Sequence, residues 1–198
     1  MVGNLKAMCH PGEVLEFWFE ELTPEDWFAP RDPAGLDAMI RARFLLTHLA
    51  LARDVEPLWR SKPDYHLAAV LVLDQFPRNM FRSTPLAYAT DMLALREAKL
   101  AVASGAHEAV ASVRRVFFFM PFEHSEQISD QERSVHLFET MGEVAETFVD
   151  YARQHRDLIA RFGRFPHRNQ ILRRRSTRAE LAYLASEAGQ GGFGQGQD

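Results

Sequence analysis

Prolines in this chain recur one residue after a group able to cap a helix, and the stretches between them carry a helical hydrophobic period. Thr23-Pro24-Glu25-Asp26 sets a capping hydroxyl ahead of a first-turn proline and two acids that favour the positive end of a helix dipole. Asp32-Pro33, Lys62-Pro63-Asp64 and Thr84-Pro85 mark further starts. Ser129 with Glu132, and Thr177 with Glu180, have capping-box spacing. Gly105, Gly142 and Gly163 stand where helices would stop. From 63, the positions Leu67, Val70, Leu71 and Asp74 share one helical face; from 143, Val144, Phe148, Ala152, His155, Ile159 and Phe162 do the same. No stretch alternates with period two. The nearest strand candidate, Val116 to Phe119, is short and runs into Met120-Pro121; an isolated strand would leave its backbone unpaired, so it reads as a buried helix end. The prediction is an all-α protein of about eight to ten helices.

With 198 residues, 46% hydrophobic and 25% charged, the chain has the means to build a sizeable core, which excludes collagenous, disordered and disulfide-scaffold classes. Residues 1–188 are expected to form one helical domain. The last ten, GQGGFGQGQD (189–198), hold five of the eleven glycines and are expected to be disordered. No apolar run is long enough for a membrane span, the N-terminus lacks a signal-peptide pattern, and Cys9 has no possible internal partner, so a cytoplasmic protein is expected. Twenty-seven acids against 23 bases give a net charge of −4. Seven arginines and no acid lie between Arg161 and Arg178, but Phe, Pro and Ile break the run within an acidic chain, so no nucleic-acid partner is expected.

Three segments hold more polar groups than turns require. In Asp74-Gln75-Phe76-Pro77-Arg78-Asn79, the carboxylate of Asp74 falls on an apolar face and needs a partner, which Arg78 can supply one turn on. Met120 to Glu126 places Glu123 and Glu126 around His124, a set suited to acid–base work but without metal-ligand spacing, so no metal is expected. The third segment, Arg161 to Asn169, interleaves Arg with Phe; Arg164, His167, Arg168 and Asn169 could line a pocket for a carboxylate or phosphate, or pair with acids of neighbouring helices. Phe76-Pro77-Arg78-Asn79 and Phe165-Pro166-His167-Arg168-Asn169 echo each other, and each reads as a turn closing an apolar helix. His155, on an apolar stripe, reads as a core histidine. There is no nucleophile elbow, Walker loop or dinucleotide fingerprint, and no cofactor is expected.

LDQFPRN (73–79), FFFMPFEHSE (117–126) and RFGRFPHRN (161–169), with VLEFWF (14–19) and STRAELAYL (176–184) near the ends, resemble in order the bacterial family catalogued as domain of unknown function 924. The resemblance implies a tetratricopeptide-like α-superhelix of antiparallel helical hairpins and no established activity. One departure stands out: where the family tends to read Leu-Gly-Arg, Leu172 is followed by Arg173 and Arg174. Two functions remain open. One is a binding module that holds an anionic small molecule or peptide carboxylate among Asp74, Arg78, Asn79, Glu123, His124, Arg164, His167, Arg168 and Asn169. The other is a metal-independent enzyme with His124 and Glu123 as acid–base pair. Oligomeric state is not readable from the sequence. The three segments are expected to converge on one partly open pocket.

Overall fold

The caps decide where helices begin. His10 opens α1 (Pro11–Glu16): its ring nitrogen accepts from the Gly12 amide while Glu13 accepts from the His10 amide. At α2 (Pro24–Phe28), Asp26 accepts from both the amide and the hydroxyl of Thr23, at 2.9 and 2.7 Å. Asp32 accepts from the Gly35 amide at the head of α3 (Pro33–Arg53). There follow α4 (Pro63–Met80), α5 (Asp91–Ala103), α6 (Ser112–Glu123), α7 (Ile128–Glu139), α8 (Glu146–Phe162) and α9 (Arg178–Leu184). This computed structural model describes residues 8–186 and Gly189; among them there are nine α-helices with short 3-10 and π turns, and no strand. The expected tail, Gly189 apart, lies outside the described residues. Among those described, no helix is long and apolar enough to cross a membrane.

Thr177 and Glu180 form the expected capping box, whereas Ser129 does not cap: α7 begins at Ile128, and it is Ser125 Oγ that accepts from the Gln127 amide. Gly163 ends α8 at φ +69°, the left-handed region open to glycine at no steric cost. Val116 to Phe119 lie buried inside α6.

α4 departs from the one-faced helix expected of it. Every residue from His66 to Arg78 is buried, because Leu67 to Leu73 is apolar all round and such a helix must be covered on all sides. α1, α3, α5 and α6 cover it, while α5 to α8 pack each on the next in chain order. Aromatic rings fill the space between α3, α4, α6 and the π turn that follows α1, with Phe44 and Phe76 at 4.8 Å between centroids and Trp18 edge-on to Phe117.

Two prolines overturn the expected turns. Pro77 and Pro121 sit inside the last turns of α4 and α6, so Phe76 to Asn79 is helical, while Pro166–Arg168 forms a 3-10 turn after α8, flanked by Phe165 and Asn169. The echo is one of sequence alone. Pro77 has no N–H for the Leu73 carbonyl, and Thr90 Oγ1 donates to that oxygen instead, at 2.7 Å and fully buried. Thr90→Val keeps the shape and removes the donor. It is expected to cost about 1–3 kcal/mol, the penalty of a buried unsatisfied carbonyl, read as a lowered urea midpoint.

Candidate functional site

The helical last turn at Pro77 fixes what the corner can do. It keeps Asp74 and Arg78 one turn apart on α4, and α6 ends beside them with His124 as its C-cap. Asp74 is fully buried, and its Oδ1 lies 2.8 Å from His124 Nδ1 and 3.4 Å from Arg78 Nη1. Gln75 donates to its other oxygen at 2.6 Å. Burial alone would push the Asp74 carboxyl up; the charges of His124 and Arg78, with the hydrogen bonds from His124 and Gln75, outweigh it and hold it at about 2. An ionised carboxylate only accepts, so the shared proton sits on His124 Nδ1. His124 Nε2 has no hydrogen-bond partner among the described residues.

A second layer braces this pair. Arg78 donates to Asp91 at 3.1 and 3.3 Å, and Arg168 Nη1 lies 3.6 Å from the same carboxylate. Arg168 also donates to the His124 carbonyl at 3.0 Å, its guanidinium stacked 4.7 Å from the Tyr88 ring and 4.5 Å from that of Phe165. The structure therefore brings together Asp74, Arg78, His124 and Arg168 from all three segments. It places Arg164, His167 and Asn169 elsewhere, while Asn79 and Glu123 stay beside Arg78 and His124. Arg164 forks onto Glu180, and Asn169 bonds Ser176 and Arg174. His167 is half-buried beside the Phe165 ring, and Asn79 donates to Asp37, which Arg82 also grips.

The expected His124–Glu123 acid–base pair is split. Neighbours on a helix point about 100° apart: Glu123 Oε1 faces His155 Nδ1 at 2.9 Å while His124 turns to Asp74. His155 is buried and also 2.9 Å from the Tyr151 carbonyl, the core histidine expected. Glu126 accepts from Arg174 and from the Phe165 amide, tying the 161–174 turn to the end of α6.

Beside the Asp74–His124 pair opens a hollow of about 260 Å³. Trp27, Phe28, Phe148 and Tyr151 line it with their rings; Gln75, Arg78, Asn79, Arg82, Glu123 and His124 supply polar and charged groups. A second, shallower hollow of about 400 Å³, lined in part by Tyr88, Asp91 and Arg168, also reaches His124. The rings of the first hollow were not legible in the sequence, since Trp27 and Phe28 follow a cap that marks only the start of a short helix. Asp91 was not legible either, because an acid in a first helical turn reads as a dipole partner.

The fold and corner define an all-helical protein with a buried carboxylate–imidazole pair opening on an aromatic hollow. The chain belongs to the bacterial proteins of unknown function grouped as DUF924, whose family pattern matches residues 14–188. It is similar to the solved structure of a protein of unknown function from Agrobacterium tumefaciens: 40% identity over 88% of this chain and 96% of that one, TM-score 0.81. No curated protein matches it.

Arg173, at the position where the resemblance leads one to expect glycine, holds φ +55°. A side chain there costs about 1–2 kcal/mol, partly offset by the freedom glycine brings to the unfolded chain. Arg173→Gly is accordingly expected to stabilise by about 0.5–1 kcal/mol, seen as a raised thermal midpoint.

Proposed function

We propose that the aromatic hollow binds a small molecule with an apolar body and a carboxylate or similar anionic head, and that His124 Nε2 holds that head. One observation carries the reading: His124 is fixed through Nδ1 by a buried carboxylate, with its second nitrogen unclaimed, at the wall of an aromatic hollow. The charges support an anion. In the inner cluster Asp74 and Asp91 balance Arg78 and Arg168, Glu123 is engaged by His155, and Asp37 is engaged by Arg82. His124 is the group on the hollow's wall with a ring nitrogen left to donate to an anionic head, and Glu123, also on that wall, is turned to His155. The arginine forks already hold protein acceptors, so they orient the site and the imidazole reads the ligand. A volume just under the roughly 300 Å³ lower range of ligand pockets suits a single ring with a short head group.

A second reading is enzymatic, and the Asp74–His124 contact favours it. A neutral imidazole with Nδ1–H on a buried carboxylate presents Nε2 as a general base. Asp74, in place of Glu123, is then the partner of His124.

The packing of α5 to α8, each on its chain neighbour, supports a tetratricopeptide-like superhelix of antiparallel hairpins in the second half, with α4 enclosed in the first. A cytoplasmic location fits the single buried thiol of Cys9.

Benzoate and phenylacetate are suitable probes for thermal shift and calorimetry, with benzyl alcohol as the uncharged control. The acids are expected to raise the midpoint of the wild type by several degrees at about 100 Kd, and His124→Ala to lose the response while staying folded. An equal response to benzyl alcohol, or one that survives His124→Ala, contradicts the anion reading. Turnover of an ester of a binding acid, lost in His124→Ala, would establish the enzyme.

A further inference from the structure

α3 is a helix of 21 residues whose core face, including Ile40, Phe44 and Leu51, packs on α4. The opposite face lies open. Ala38, Met39, Ala42, Leu46 and Leu49 fall together on it at the helical period, with Met39 47%, Leu46 39% and Leu49 53% exposed. From Gly35 to Leu49 no polar side chain interrupts this face, although a solvated helix face ordinarily carries charge. Opposite charges close its two ends. Asp32 caps the Gly35 amide, Arg53 stands at the far end of the same face, and both are exposed; neither has an ion-pair partner among the described residues. Their backbones are about 31 Å apart along the helix.

An apolar stripe with Asp32 at one end and Arg53 at the other, each followed outward by an exposed residue of opposite sign (Arg31 and Asp54), is complementary to itself reversed. We propose that this face is the interface of a homodimer in which two copies of α3 pack antiparallel about a two-fold axis at the level of Phe44. In that register each Leu46 lies over Ala42 of the other copy, large on small, and each Leu49 lies against Met39. Each Arg53 falls opposite Gly35 of the other copy, within reach of Asp32 one turn away. Every contact is made twice, as a closed two-fold interface requires. A different protein would cover the apolar stripe without needing the reversed acid and base, and that reversal is the feature that selects a second copy.

Sedimentation velocity on the full chain, from low to tens of micromolar, tests this. The wild type is expected to sediment as a dimer, and Leu46→Glu as a monomer with unchanged helical circular dichroism. Arg53→Glu and Asp32→Lys are each expected to weaken association roughly tenfold. Mixing these two variants restores it, because the mixed dimer regains both opposite-charge pairs. A wild type monomeric throughout the range overturns the proposal. So does a dimer that Leu46→Glu leaves intact, or a mixture that associates no better than either variant alone.

Discussion

Asp74→Ala is expected to cost about 3–5 kcal/mol, because it leaves the buried Arg78 and His124 without the carboxylate between them. Arg78 keeps Asp91, which places the loss toward the lower end of that range. Guanidinium denaturation followed by circular dichroism measures it; a loss under about 1 kcal/mol would mean that water reaches the corner. The same carboxylate sets an acid limit. Its folded value is depressed from 3.8 to about 2, so the stability it contributes is fully present above 3.8 and is lost as pH falls toward 2. That contribution is on the order of 2 kcal/mol and should vanish from the pH profile of Asp74→Asn.

Glu97→Ala is expected to lose about 2–4 kcal/mol for a different reason. Glu97 is fully buried and accepts from both arms of Arg60 at 2.6 and 2.7 Å, from Arg96, and from His66 Nε2 at 3.2 Å. Burial pushes its carboxyl up, and the bonds from His66, Arg60 and Arg96, with the Arg60 charge, bring it down to about 2. Arg60 and Arg96 are partly exposed and rehydrate when the carboxylate goes, whereas His66 is buried and does not. None of these groups lines the aromatic hollow. Glu97→Ala should therefore lower the thermal midpoint yet keep its shift on adding benzoate, while Asp74→Ala should lose both. Equal loss of response in the two variants would mean that global softening, and not the Asp74–His124 pair, governs binding.

The helical class was legible because caps and periods are local. Thr23 with Asp26, Thr177 with Glu180, and Gly163 each act within one turn, and local chemistry decided them. Pro77 and Pro121 misled for a tertiary reason: a helix tolerates proline where another element satisfies the freed carbonyl, and at Pro77 that donor is Thr90, thirteen residues on. Asp74 with Arg78 was legible as a charge in an apolar stripe requiring a partner. The pairing of His124 with Asp74, fifty residues away, was not, since nothing near His124 distinguishes Asp74 from the adjacent Glu123. For Arg164 the sequence left two roles open, pocket lining or pairing with a neighbouring helix; its acid, Glu180, lies across a turn and doubles as the α9 cap, which no local pattern shows. The aromatic wall came from two short stretches, Trp27-Phe28 and Phe148 to Tyr151, that meet only in the folded chain.

The proposed binding turns on His124, held through Nδ1 by Asp74, presenting Nε2 to a ligand anion. Nitrogen NMR of the His124 ring in uniformly labelled protein, titrated with benzoate, tests it most directly. Expected are a protonated Nδ1 in the free protein, unchanged by benzoate, and a shift at Nε2 that saturates with the calorimetric Kd. A ring protonated at Nε2 alone in the free protein, or a Nε2 signal indifferent to saturating benzoate, would contradict it.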